Sequence, residues 1–156
     1  MNIILKLNMF NCENIQYLDT KKNIIMDGNF TKIIYSDNNI TLNGLYIHCP
    51  FIIERIDNTV QQNIIFNFDN KDFFNEIIKI ETTILEHYKH KNNIISPPQY
   101  LLFNQIMNQH IKLYNQNNGL FNHFNTQIVL KISGIWENAD YFGLTYKFIN
   151  MIKITS

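Results

Sequence analysis

Apolar and polar residues alternate most regularly between Gln127 and Ile149. In QIVLKISGIW, Ile128, Leu130 and Ile132 fall on one side of an extended chain, and Val129, Lys131 and Ser133 on the other. YFGLTYKFI repeats the pattern, with Phe142, Leu144, Tyr146 and Phe148 set against Tyr141, Thr145 and Lys147. ENAD lies between them as a turn, so the two runs predict an antiparallel hairpin with Leu130, Ile132, Leu144 and Tyr146 toward the core. Gly134 breaks the first run where a bulge or a close backbone approach is expected.

Similar signals occur upstream. FTKIIYS predicts a strand from Phe30, and Asp37, Asn38 and Asn39 supply a reversing loop. In ITLNGLYIHC the apolar parity changes between Leu42 and Leu45; one extra residue at Asn43-Gly44, a β-bulge, restores a single apolar face. Pro50 ends this strand, and NIIFNF, from Asn63 to Phe68, reads as a third. The period then changes. Phe73, Ile77, Ile80, Ile84 and Tyr88 recur at helical spacing, with Asp69, Asn70 or Asp72 to cap the start and Lys89, His90 and Lys91 at the end. A second helix is expected from about Gln99, on a partial stripe of Leu102, Ile106, Gln109 and Leu113. The Asn-rich run Asn115–Gly119 reads as a loop.

The order strand, strand, strand, helix, strand, strand is that of the five-stranded oligonucleotide-binding (OB) barrel. The expected fold is therefore α+β and mainly antiparallel: an OB-fold-like five-stranded barrel with one long helix and an inserted second helix. An ordinary antiparallel α+β domain would show the same order. The expected layout is a single domain over 1–156, with an N-terminal extension (1–28), three strands (30–68), the helix (70–91), an insertion (92–125) and the C-terminal hairpin (126–154). At 156 residues the chain is long enough to bury a core without disulfides or metal.

Formal net charge is zero, so the strong basic imbalance of many nucleic-acid binders is absent and only a local cationic patch could serve. Cys12 and Cys49 form no disulfide framework and read as reduced, partly buried thiols. No signal peptide and no apolar run of membrane-spanning length is recognisable, so an intracellular protein without a membrane partner is expected. Five glycines form neither a phosphate loop nor a dinucleotide fingerprint. His87 and His90 lie one turn apart without a third ligand, while His48 and Cys49 point to opposite faces of a strand. Glu76, Glu81 and Glu86 are spread around the helix and make no carboxylate pair. No enzyme, metal or cofactor is expected.

TLNGLYIHCPF (Thr41–Phe51) and LKISGIWENADYFGLTYKF (Leu130–Phe148), with a weaker match through the helix, resemble small OB-fold-like single-stranded-DNA-binding proteins of nucleocytoplasmic large DNA viruses. The resemblance covers about a third of the chain. It implies a role in viral DNA replication or genome handling, in the host cytoplasm or viral factory or packaged in the virion.

Single strands are held by aromatic faces that stack on bases and cations that follow the backbone. In the OB arrangement the candidates are Tyr35, Tyr46, His48, Trp136 and Tyr141 for bases and Lys32, Lys131 and Lys147 for phosphates. Tyr46 and His48 share the face opposite Leu45 and Ile47 and are expected to be the most exposed pair. Glu137 and Asp140 make the last turn acidic, which opposes a phosphate backbone there. The partner expected first is single-stranded DNA. The alternative is a structural or interaction component of a particle or replication complex, meeting replication or virion proteins or a second copy of itself.

Overall fold

The computed structural model describes residues 4–50, 52–57, 63–67, 71–115 and 126–152. Their strands are β1 (Ile15–Tyr17), β2 (Lys21–Lys22), β3 (Asn29–Ser36), β4 (Thr41–Leu42), β5 (Leu45–Cys49), β6 (Ile52–Asp57), β7 (Asn63–Asn67), β8 (Pro98–Gln99), β9 (His110–Asn115), β10 (Thr126–Glu137) and β11 (Phe142–Ile152). Two α-helices, α1 (Lys71–Asn92) and α2 (Leu101–Met107), accompany them.

The C-terminal hairpin forms as the alternation requires. β10 and β11 pair antiparallel from Thr126↔Ile152 to Glu137↔Phe142, with a register shift between Ile132 and Gly134. Leu130, Ile132 and Leu144 are buried, and Tyr146 is half-buried. The shift leaves Ser133 as the extra residue, the bulge expected beside Gly134.

Along its other edge β10 is paired twice by one stretch of chain. Asn29–Lys32 of β3 lie opposite Glu137–Gly134, and Leu45–Cys49 of β5 opposite Ile132–Ile128. Residues 33–44 leave that edge and return to it. Outside it, β3 pairs with β1 and β4. Asp37 closes this excursion by accepting the amides of Asn39 and Ile40 at 2.8 and 2.9 Å. Those bonds favour its carboxylate and hold its pKa below the usual value. The expected bulge at Asn43-Gly44 is a full corner, at which the chain changes partner from β3 to β10. Gly44 has φ 115°, which favours glycine, and Leu42, Leu45, Ile47 and Cys49 all end up buried.

The barrel expectation is corrected. The sheet path is β1-β3-β10-β11-β9-β7-β6, and it does not close. The cause is β9, which lies within the expected insertion. It pairs in parallel with β11 at Phe148↔Leu113 and antiparallel with β7 at Ile64↔Ile111. The expected third strand, β7, is therefore carried away from β3 and β5 and pairs instead with β6 and β9. The fold is α+β, with a mixed, mostly antiparallel sheet and two helices.

α1 covers one face of this sheet. Phe73, Ile77, Ile80, Ile84 and Tyr88 are buried, as their spacing predicts, in a cluster with Ile33, Ile132, Ile135, Phe142 and Leu144. The helix ends where Asn93 adopts φ 51° and the Ile94 amide donates to the Lys89 carbonyl, a left-handed C-terminal cap. The expected caps Asp69 and Asn70 and the loop residues 116–119 lie outside the described residues. The expected extension is part of the core: Leu5 and Ile15 are buried, and Leu5 bridges to Ile47.

α2 is anchored by a residue that sequence reasoning set aside. Glu81 of α1 is fully buried and accepts the amides of Leu102 and Phe103, in the first turn of α2, at 3.0 and 2.8 Å. Desolvation outweighs these two bonds and pushes its pKa up to about 6.

Candidate nucleic-acid interface

Thr31, Ile135 and Leu144 lie side by side on β3, β10 and β11 and face α1, where the Thr31 hydroxyl meets the Tyr88 hydroxyl at 3.1 Å. Alternation turns their neighbours to the opposite face. There Lys21, Phe30, Trp136 and Gly143 form one cross-strand row, and Lys32, Gly134 and Thr145 the next.

The glycines explain how the aromatic rings lie. A Cβ on Gly134 would sit 2.7 Å from Cε2 and Cζ of Phe30, and one on Gly143 would sit 2.9 Å from Cζ2 of Trp136. The Phe30 ring therefore occupies the space over Gly134, and the Trp136 ring that over Gly143. Gly134 and Gly143 thus leave room for the two rings. Phe30 and Trp136 are both half-buried, so each also reaches solvent.

Two grooves meet at Lys21 and Phe30. The larger, about 870 Å³, is lined by Lys21, Lys22, Phe30, Trp136 and Thr145, by the turn residues Ile24, Ile25 and Met26, and by Leu101, Leu144 and Tyr146. The smaller, about 480 Å³, is lined by Tyr17, Leu18, Asp19, Lys21, Phe30 and Lys32. Farther along the same face, Tyr46, Lys131 and Lys147 form a third row. The Lys131 ammonium lies 5.3 Å from the Tyr46 ring centre, and those of Lys112 and Lys147 lie 4.7 and 5.8 Å from the Tyr114 ring. Lysines and aromatics thus alternate across one sheet face.

Of the expected site residues, Lys32, Tyr46, Lys131, Trp136 and Lys147 are brought to this face. Three expectations change. Tyr35 is a core residue, 1% exposed; its hydroxyl accepts from the Asn11 amide at 3.0 Å and donates to the Met9 carbonyl at 3.2 Å, so it offers no ring to a base. Tyr46 is buried, with Lys131 over its ring, while His48 is exposed, so they are not an equally open pair. Tyr141 is exposed in the β10–β11 turn and lines neither groove. The acidic turn is also less adverse than its composition suggests, because Glu137 accepts from the Tyr88 hydroxyl at 3.4 Å, toward α1.

Sequence reasoning missed Phe30, Lys21, Lys22, Lys112 and Tyr114. The available signal for Phe30 was the pair of glycines on the neighbouring strands. For Lys112 and Tyr114 there was none, since their segment read as helix.

Among the described residues no group of three or more His, Cys, Asp or Glu side chains could hold a metal. His87 Nδ1 lies 2.9 Å from the Tyr17 hydroxyl. Cys49 is buried and Cys12 half-buried, and burial raises the pKa of both thiols. No described helix is long and apolar enough to cross a membrane. No protein-family model, curated protein or solved structure matches the chain.

Proposed function

We propose that this protein is a non-catalytic single-stranded-DNA-binding protein whose ligand lies across the sheet face bearing Phe30 and Trp136. The observation that supports this most is the pair of aromatic rings laid over Gly134 and Gly143, with Lys21 and Lys32 in the same two cross-strand rows. Aromatic rings on a sheet face offer π-faces to unstacked bases, and the lysines can follow the phosphates. Lys131, Lys147, Lys112 and Tyr114 extend the path along the face. β3 to β5 with β10, β11 and α1 form the OB-like part of this proposal, in an open rather than closed sheet. The role in viral DNA replication or genome handling follows from the sequence resemblance.

Trp136 is the only tryptophan, so its emission reports on the site directly. Oligo-dT should quench it saturably, and duplex of equal length should bind more weakly, because stacked pairs hide their faces. Equal affinity for duplex and single strand, or no binding at low salt, would reject the proposal. One observation favours a second reading, an interaction component of a larger assembly: Ile24 and Ile25 are 100% and 93% exposed. A stable complex with a protein partner, formed with no nucleic-acid affinity, would establish that reading.

A further inference from the structure

The turn joining β2 to β3 is built to hold apolar side chains outward. Ile24, Ile25 and Met26 are 100%, 93% and 69% exposed. The backbone beneath them is fixed: the Asn23 amide donates to the Gly28 carbonyl at 2.8 Å, and the Asn23 side chain accepts the Ile25 amide at 3.1 Å. Gly28, at φ 123°, packs directly on the Glu137 carbonyl, which leaves no room for a side chain. The turn is thus tied to the end of β10, one residue beyond Trp136.

These three residues also form a wall of the groove floored by Phe30 and Trp136. Aliphatic side chains cannot hydrogen-bond a phosphodiester backbone. In nucleic acid they fit against a base-pair face or between base steps, where they act as wedges. Lys21 and Lys22 precede the tip and are exposed, so cations stand beside the apolar point.

We infer that the Ile24–Met26 tip is a wedge for the junction between single-stranded and duplex DNA, abutting the last base pair while the single-stranded arm runs over Phe30 and Trp136. This rests on the proposed single-strand binding and adds to it a preferred substrate. A second copy of the chain fits less well, because the Lys21–Lys22 pairs of both copies would enter one desolvated contact.

The test compares three fluorescent ligands by anisotropy: oligo-dT, a blunt duplex, and that duplex carrying the same dT run as a tail. 2-Aminopurine in the terminal base pair reports unstacking. The tailed duplex should bind about tenfold tighter than oligo-dT, a difference of about 1.4 kcal/mol, and 2-aminopurine emission should rise. Replacing Ile24, Ile25 and Met26 by Ser should abolish both effects, so that the variant binds the tailed duplex no more tightly than it binds oligo-dT. Equal affinity for oligo-dT and the tailed duplex would overturn the wedge while the single-strand proposal stands. Absence of binding to any of the three would overturn both. Vesicle binding or concentration-dependent dimerisation that the triple Ser variant loses would also overturn the wedge, by assigning the tip to lipid or to a second copy.

Discussion

Glu81 of the long helix accepts the backbone amide of Phe103 in the short one at 2.8 Å, and so supplies the N-terminal cap that Tyr100, with no capping side-chain bond, does not. Its pKa, about 6, lies above its ordinary value of 4.5. Protonation therefore favours the folded state. This contribution is complete below about pH 4.5, is lost as pH rises through about 6, and changes no further above that. The shift corresponds to about 2 kcal/mol. Urea unfolding of wild type and E81Q from pH 4 to pH 7.5 should show Gln gaining that amount on wild type over this window. Parallel stability profiles would contradict it.

Gly134 and Gly143 should tolerate alanine poorly. A Cβ at 143 would lie 2.9 Å from the Trp136 ring and 3.0 Å from the Gln99 carbonyl oxygen. G143A should cost about 1–3 kcal/mol, the usual range for overpacking, lift the indole, and move its emission to the red. At Gly134 the contact includes the Thr31 carbonyl, which is sheet backbone and cannot swing aside. G134A should be the more destabilising of the two in thermal unfolding.

Tyr35 and Trp136 should separate stability from binding. Y35F removes a hydroxyl that bonds the Asn11 amide and the Met9 carbonyl and should cost about 1–3 kcal/mol of folding stability, with oligo-dT affinity unchanged. W136A should weaken oligo-dT by about 1–3 kcal/mol, the worth of one stack. Lost affinity in Y35F, under conditions where it is folded, would move the site away from the Phe30–Trp136 rows.

Salt dependence should identify the phosphate contacts. Each lysine lost from the single-strand path should reduce the slope of log affinity against log salt by about 0.7. K21A, K32A and K147A should each do so, whereas K79A, on an exposed position of α1, should not. A slope unchanged in all four would remove the sheet face as the phosphate path.

The parts of the fold legible from sequence are those decided by neighbours in the chain. The β10–β11 hairpin follows from a period of two read through the break at Gly134, α1 from a period of 3.6, and the Gly44 corner from a change of parity. β9 was misread. Gln109 and Leu113 look helical by spacing, but Gln109 adopts φ 55°, the helix stops at Met107, and Ile111 and Leu113 are buried as alternate residues of a strand. Its parallel partner, β11, lies more than thirty residues away, and no local pattern encodes such pairing. The same holds for the site. Lys32 and Trp136 were legible as a cation and an aromatic, but Phe30 gains its role only through Gly134, about a hundred residues later in the chain.

The two pairings along one edge of β10 bear on how the protein is made. β10 and β11 are central in the sheet yet come last among its strands, so in synthesis from the N-terminus β3 and β5 emerge well before the edge they pair with. Their apolar faces and open backbone groups must wait until Thr126–Glu137 has left the ribosome. In that interval they are candidates for wrong strand pairing. Completion of the sheet is consequently a late event in biosynthesis, and a chain cut short before Thr126 has lost the template for its first half.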